Sequence, residues 1–315
     1  MARILVTDEL AAERLDRLIA RQLPGMSRAR TKALFAAKAV TVIDGRGRPR
    51  WATKGDRAVA GTTIELRLPV DVEAVAAVAD PVAADQILNV LEQTDHFVVV
   101  DKPAGVPSAP VSPGEMGTVA NALVARYPEM AEVGYGPREP GLCHRLDTGT
   151  SGILVAARSV RAFQAVTAAI KAGTVDKRYL LVCPADGLEE AGQIDLPLAS
   201  DPKNRRRVRA CRDEREARRL HARPAATHYL VLRRVGQVAL VEARAPRAQR
   251  HQIRVHFAAL GVPLVGDDLY GGPPWDGQAR HALHASLFGW QGGEGMAGVA
   301  ASSPLPEELA GLLEG

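Results

Sequence analysis

The sequence predicts an α+β protein in which a small N-terminal α/β module precedes a larger domain built on a mixed, mostly antiparallel β-sheet with flanking helices. Three observations lead there. After residue 87 the β-prone runs outnumber the helical periodicities; the two do not alternate as a doubly wound parallel sheet requires; and the first 70 residues carry two helical repeats followed by two short strand signals. A length of 315 residues also fits about two domains of ordinary size.

Within residues 1–70, Leu15, Leu18, Ile19 and Leu23 recur at helical spacing until Leu23-Pro-Gly25 breaks the pattern. Ser27 can cap a second helix through Ala29, Leu34 and Phe35, which makes an αα-hairpin. Ala39–Ile43 and 62–68 read as strands, with a Gly-rich basic turn at 45–50 between them. Residues 71–86 mix Ala, Val, acids and one Pro, and read as a linker. The larger domain, 87–315, opens with a buried strand at Phe97–Val100 that ends in the turn Asp101-Lys-Pro-Ala-Gly105. Further strands are expected at 152–156, 179–183, 227–232 and 238–242, and helices at 117–127 and 159–172.

The net charge of +4 conceals a segregation. From Arg14 to Lys54 there are 11 basic and 2 acidic residues, and from Lys203 to Arg223 there are 10 and 3, so these segments carry +9 and +7 and the remainder −12. Such asymmetry points to a polyanion partner, with solvated charged faces as the plainer alternative.

Other totals exclude more than they identify. A hydrophobic content of 46% rules out wholesale disorder, and no apolar run approaches the ~18 residues of a membrane span. Asp8 and Glu9 interrupt any signal-peptide core, so a soluble, cytoplasmic protein is expected, with no membrane partner. Cys143, Cys183 and Cys211 form no Cys-x-x-Cys pair, which disfavours a disulfide framework or a thiolate metal site. His251 with His256, and His281 with His284, lack a His-Glu-x-x-His context, so no metal is assigned. Aromatic residues, at 4%, are too few for binding by base-stacking platforms.

The densest polar cluster is Cys143-His-Arg-Leu-Asp-Thr-Gly-Thr-Ser-Gly152, which runs into an apolar strand. It places Asp147 on a loop that a rigid scaffold can aim, although an Asp there can equally close an Asx-turn through Thr148 and Gly149. Neither a G-x-S-x-G elbow nor a phosphate loop is present.

His144-Arg-Leu-Asp-Thr-Gly-Thr-Ser-Gly152 resembles the His-Arg-Leu-Asp-x-x-Thr-Ser-Gly signature of the RluA-type pseudouridine synthases at every fixed position. Val100–Gly105, Gly117–Leu123, Lys177-Arg-Tyr179, Pro224–Tyr229, His251–His256 and Gly266–Gly271 extend the resemblance in order from about residue 87 to the mid-280s. Arg14-Leu-Asp16 and Ser27-Arg-Ala-Arg30 make the N-terminal module similar to an S4 RNA-binding domain. Two departures stand out: Ala248-Gln249 replaces the usual Gly-Arg ahead of Arg250, and the tail after His284 lacks the usual His-Pro turn.

The resemblance implies an RNA pseudouridine synthase, an isomerase that needs no cofactor and no metal. Asp147 would be nucleophile or base, Arg254 the guanidinium that keeps a desolvated carboxylate charged, and Tyr179 the ring that packs on uracil and assists removal of the C5 proton. His144, Arg145, Thr150, His251 and Gln252 would bind substrate. Arg205, Arg206 and Arg207, with Arg28 and Arg30 of the S4-like module, would grip phosphates beside a flipped uridine. The implied partner is large-subunit ribosomal RNA, with transfer RNA as the alternative, and the enzyme is expected to act as a monomer. Competing readings are an inactive RNA-binding protein and a carboxylate hydrolase, the latter lacking a second acid near Asp147.

Overall fold

The computed structural model describes residues 2–23, 26, 28–67, 76–275 and 280–314. The chain divides into two compact units, Met1–Ala74 and Val75–Gly315. In the first, β1 (Ala2–Leu5), α1 (Leu15–Gln22), α2 (Arg28–Ala36), β2 (Val40–Ile43), β3 (Pro49–Trp51) and β4 (Thr63–Leu66) follow in order. The four strands form one antiparallel sheet in the order β1-β4-β2-β3. Leu15, Leu18 and Ile19, spaced to share one face of α1, pack with Leu34, Val40, Val42, Ile64 and Leu66 in the core. Strand β1 was not anticipated, and the proposed cap Ser27 lies outside the described residues.

The first helix of the second unit is α3 (Pro81–Ile87), so the expected linker at 71–86 ends in a helix from Pro81 onward, while its residues 71–75 lie outside the described ones. Asp80 caps it, accepting the Ala83 N–H at 3.0 Å, and Pro81 occupies the first turn, where a missing N–H is harmless. Then come β5 (Asn89–Gln93), β6 (Phe97–Lys102), α4 (Val119–Arg126), β7 (Ser151–Ala157), α5 (Val160–Ala172), β8 (Asp176–Pro184), β9 (Ala191–Ile194), β10 (Leu198–Ser200) and β11 (Val208–Ala210). The chain continues through α6 (Glu214–Leu220), β12 (Thr227–Val235), β13 (Val238–Arg244), α7 (Gln252–Leu260), β14 (Leu283–Trp290), β15 (Val299–Ser302) and α8 (Glu307–Ala310).

One sheet dominates, ordered β5-β6-β7-β14-β8-β13-β12-β9 with β15 also on β14; β7 and β14 run parallel and every other pair is antiparallel. This is the mixed, antiparallel-rich architecture that the strand count predicts. Strands β6 and β7 read as unbroken apolar runs because both faces are covered. Val98, Val100, Leu154 and Ala156 join a core with Leu123 of α4 and Phe257 of α7, whereas Phe97, Val99, Ile153 and Val155 join another with Phe163 and Val166 of α5. Strands β10 and β11 form a separate hairpin. No described helix is long and apolar enough to cross a membrane.

Candidate active site

Asp147 stands in the loop that enters β7, and the residues on either side of it are pinned to the turn after β6. Lys102, fully buried, donates from Nζ to the carbonyls of Pro103, Val106 and Thr148 at 2.9, 2.7 and 3.2 Å, matching the three N–H bonds of an ammonium. Burial draws its pKa down to about 7, against the opposing pull of Asp147's charge. Ser108 Oγ donates to the Leu146 carbonyl at 2.8 Å and accepts the Leu146 N–H at 3.1 Å. Farther along, Arg280 Nη1 donates to the Gly149 carbonyl at 3.1 Å, while its other terminal nitrogen pairs with Glu308 of α8. Gly152 closes the loop where β7 meets β14: at φ +109°, a Cβ would lie 2.2 Å from the Ala285 carbonyl oxygen, so glycine is required.

The turn is closed by the main chain, the Thr150 N–H donating to the Asp147 carbonyl at 3.0 Å, which frees the side chain. Its Oδ2 accepts from Arg254 Nη1 at 3.1 Å. Arg254, in the first turn of α7, also donates from Nε and Nη2 to the two oxygens of Asp267 at 2.7 and 2.8 Å. One planar guanidinium therefore joins a fully buried carboxylate to a partly exposed one, a task for which a lysine ammonium lacks the fork. Burial opposes the charge on Arg254, but the hydrogen bond and charge of Asp267, and then Asp147, more than offset it and raise its pKa.

His251 precedes α7 in the left-handed region, at φ 56°, with Nε2 3.8 Å from Asp147 Oδ2. Its Nδ1 is 2.9 Å from the Tyr270 hydroxyl, which accepts the Val208 N–H at 2.8 Å. With Nδ1 turned to that hydroxyl, Nε2 is the ring nitrogen that faces the carboxylate. Burial lowers the His251 pKa, and Asp147 opposes the shift. Tyr179, at the centre of β8 opposite Ala243 and Ala285, is buried; burial, then the charge of Asp147, push its phenol well above the usual range. At neutral pH it is therefore a neutral ring that keeps its hydroxyl proton.

The other expected site residues have these surroundings. His144 accepts the Val155 N–H at 3.2 Å and stacks on Phe288, with ring centroids 5.4 Å apart. Thr150 bonds His281 Nε2 at 2.8 Å. Gln252 is saturated by the Ala226 carbonyl, Thr227 Oγ1 and the Gln249 N–H. Arg145 is half-exposed and pairs with Glu139 at 2.7 Å. Arg205 and Arg206 are exposed, while Arg207 lies 5.3 Å over the Tyr270 ring. Arg28 and Arg30 fall in the first turn of α2, and their side chains lie outside the described residues. The Ala248-Gln249 departure leaves no strained backbone at Ala248; Gln249 Nε2 donates to the Pro224 carbonyl at 2.7 Å, and the left-handed residue is His251. His256 is bonded to Thr227 Oγ1 and the Leu196 carbonyl, and all three cysteines are buried thiols.

Sequence reasoning overlooked Lys102, Asp267, Tyr270 and Arg280, and weighed His281 only as a metal ligand. Lys102, Asp267 and Tyr270 lie inside quoted motifs, where a buried charge beside Pro or Gly was the available signal. Nothing local marks Arg280 or His281, which reach the loop from the strand-entry segment of β14.

The sequence matches the RNA pseudouridylate synthase family over residues 96–259. It is 33% identical to the ribosomal large subunit pseudouridine synthase D of Xanthomonas campestris pv. campestris, over 99% of this chain and 92% of that protein. An RNA pseudouridine synthase of Chloroflexus aurantiacus is 35% identical, over 97% of this chain and 90% of its own length. The solved structure of human RNA Pseudouridylate Synthase Domain Containing 1 superposes with a TM-score of 0.55 at 25% identity, covering 69% of this chain and 83% of that one. With the signature at 144–152 built around an arginine-held carboxylate, the chain belongs to the RNA pseudouridylate synthase family, in its RluA-type branch, and is an isomerase that acts on RNA.

Proposed function

We propose that the protein converts uridine in large-subunit ribosomal RNA to pseudouridine, with Asp147 as the carboxylate that opens the glycosidic bond. The C1′–N1 bond breaks, the uracil turns, and C1′ bonds to C5; the C5 proton leaves and N1 gains one, so nothing is oxidised or added. The observation that carries this reading is the Asp147–Arg254–Asp267 chain: the inner carboxylate fixes the guanidinium, which fixes the outer carboxylate. Tyr179 packs on the detached uracil. Family relatives acting on the large ribosomal subunit support the choice of RNA. The first unit, with its helical pair and basic surface, is read as an S4-like RNA-binding module in a cytoplasmic, monomeric enzyme.

Tritium release from RNA labelled with [5-³H]uridine tests the assignment. Asp147→Asn, which keeps the size of the side chain, is expected to abolish release while the variant melts within a few degrees of the parent. A variant that folds and still releases tritium at the parental rate removes Asp147 from this role. Free uracil among the products would point to a hydrolase instead.

A further inference from the structure

The turn between β10 and β11 holds Lys203, Arg205, Arg206 and Arg207 within five residues, and its own contacts shape it. Asp201 Oδ1 accepts the N–H groups of Lys203 and Asn204 at 2.8 and 3.2 Å, and Asn204 Oδ1 accepts that of Arg206 at 3.0 Å. From behind, Arg250 Nη2 donates to the carbonyls of Arg205, Arg206 and Arg207 at 3.1, 3.0 and 3.2 Å. With its acceptors occupied, the turn leaves Arg205 and Arg206 exposed and without a carboxylate partner among the described residues. The buried Nε of Arg207 has no acceptor among them either.

Tyr270 links this turn to Asp147. Its hydroxyl accepts the Val208 N–H and meets His251, its N–H donates to Asp267 Oδ1 at 3.3 Å, and its ring has Arg207 and Arg254 each 5.3 Å from the centroid. We propose that the 203–207 turn grips RNA phosphates flanking the target uridine, and that Tyr270 is the positioning residue tying that grip to the Asp147–Arg254 pair. The inference rests on the reading of Asp147 as the reacting carboxylate. A preordered turn loses little conformational freedom on binding, and guanidinium forks match phosphate oxygens. The tie matters because small displacements of a reacting group are costly in rate.

The test uses a [5-³H]uridine-labelled large-subunit ribosomal RNA transcript. The double substitution Arg205→Ala, Arg206→Ala is expected to raise KM about tenfold and to flatten the log–log salt dependence by about 1.4, or ~0.7 per lost phosphate contact, so that the loss falls on KM. Tyr270→Phe keeps the ring and removes the hydroxyl; it is expected to slow single turnover about tenfold with RNA affinity within about twofold. If the double variant keeps the parental KM and salt slope, the grip is refuted. A Tyr270→Phe enzyme at the parental rate refutes the tie. A parent that releases no tritium overturns the reading of Asp147 as well, whereas an active parent with insensitive variants overturns this inference alone.

Discussion

In the first unit arginines meet carboxylates at the surface, Arg14 with Asp16, Arg21 with Glu13 and Arg50 with Asp56, each arginine side chain at least 41% exposed. In the second, Arg254 is 7% exposed and lies between Asp147 and Asp267, while Lys102 is sealed among three carbonyls. Surface pairs are close in sequence, screened by water, and each contributes about 0–1 kcal/mol. A buried pair gains little net stability, but loss of one partner strands a desolvated charge and costs about 3–5 kcal/mol. The first unit can thus spend cations on a ligand without risk to its fold: Arg17, Lys32, Lys38 and Arg46 have no carboxylate partner among its described residues. In the second unit the charges that shape the loop also hold the fold.

Acid separates the two units most widely. His144, His251, His256, His281 and His284 all have lowered pKa values, burial being the largest cause in each; for His281 the value falls to about 2. The unfolded chain takes up these protons first, so stability is complete above about pH 6.5 and is lost as pH falls toward the folded values. His281 alone contributes a slope of about 1.4 kcal/mol per pH unit in that window. No histidine precedes His96, and the lowered carboxylates of the first unit, Asp16, Asp44 and Asp56, lose their contribution only as pH drops below the usual carboxylate range. Hydrogen exchange on the full chain at pH 7 and pH 5 is expected to show the second unit opening while the first stays protected. Equal loss in both would break the contrast.

Next in size, Arg254→Met strands the carboxylate of Asp267, whose side chain is fully buried, and is expected to cost about 3–5 kcal/mol together with all activity, read by calorimetry and tritium release. Lys102→Met keeps the volume but leaves three carbonyls without their donor. A loss of about 1–3 kcal/mol is expected, with slower turnover because the Thr148 carbonyl is released. At the small end, Arg50→Ala in the first unit should shift stability by less than about 1 kcal/mol. A larger shift would show that surface pairs there also hold the fold.

Much of this was legible in the residues. The apolar spacing of Leu15, Leu18 and Ile19 marks α1, and the runs at 97–100 and 152–156 mark β6 and β7, because burial on one or both faces imprints a period on the chain. Other elements left weaker marks. Helix α7 starts after a left-handed His251 with no capping side chain, so the usual Ser, Thr or Asp signal is missing, while α3 carried its signal in Asp80-Pro81 but is only seven residues long. At His144 and Gln252 the side chains bond backbone groups, and residue type by itself does not distinguish that task from substrate contact.

Asp147 on a loop before an apolar strand, and the segregation of positive charge into two segments, were properties of the sequence by itself, since both depend on neighbours along the chain. The company that Asp147 keeps was decided by the tertiary structure. Arg254 lies 107 positions away, Asp267 and Tyr270 come from a second segment and Lys102 from a third. Which charges meet depends on which groups share one desolvated volume once the strands have paired, and that volume exists only in the folded chain.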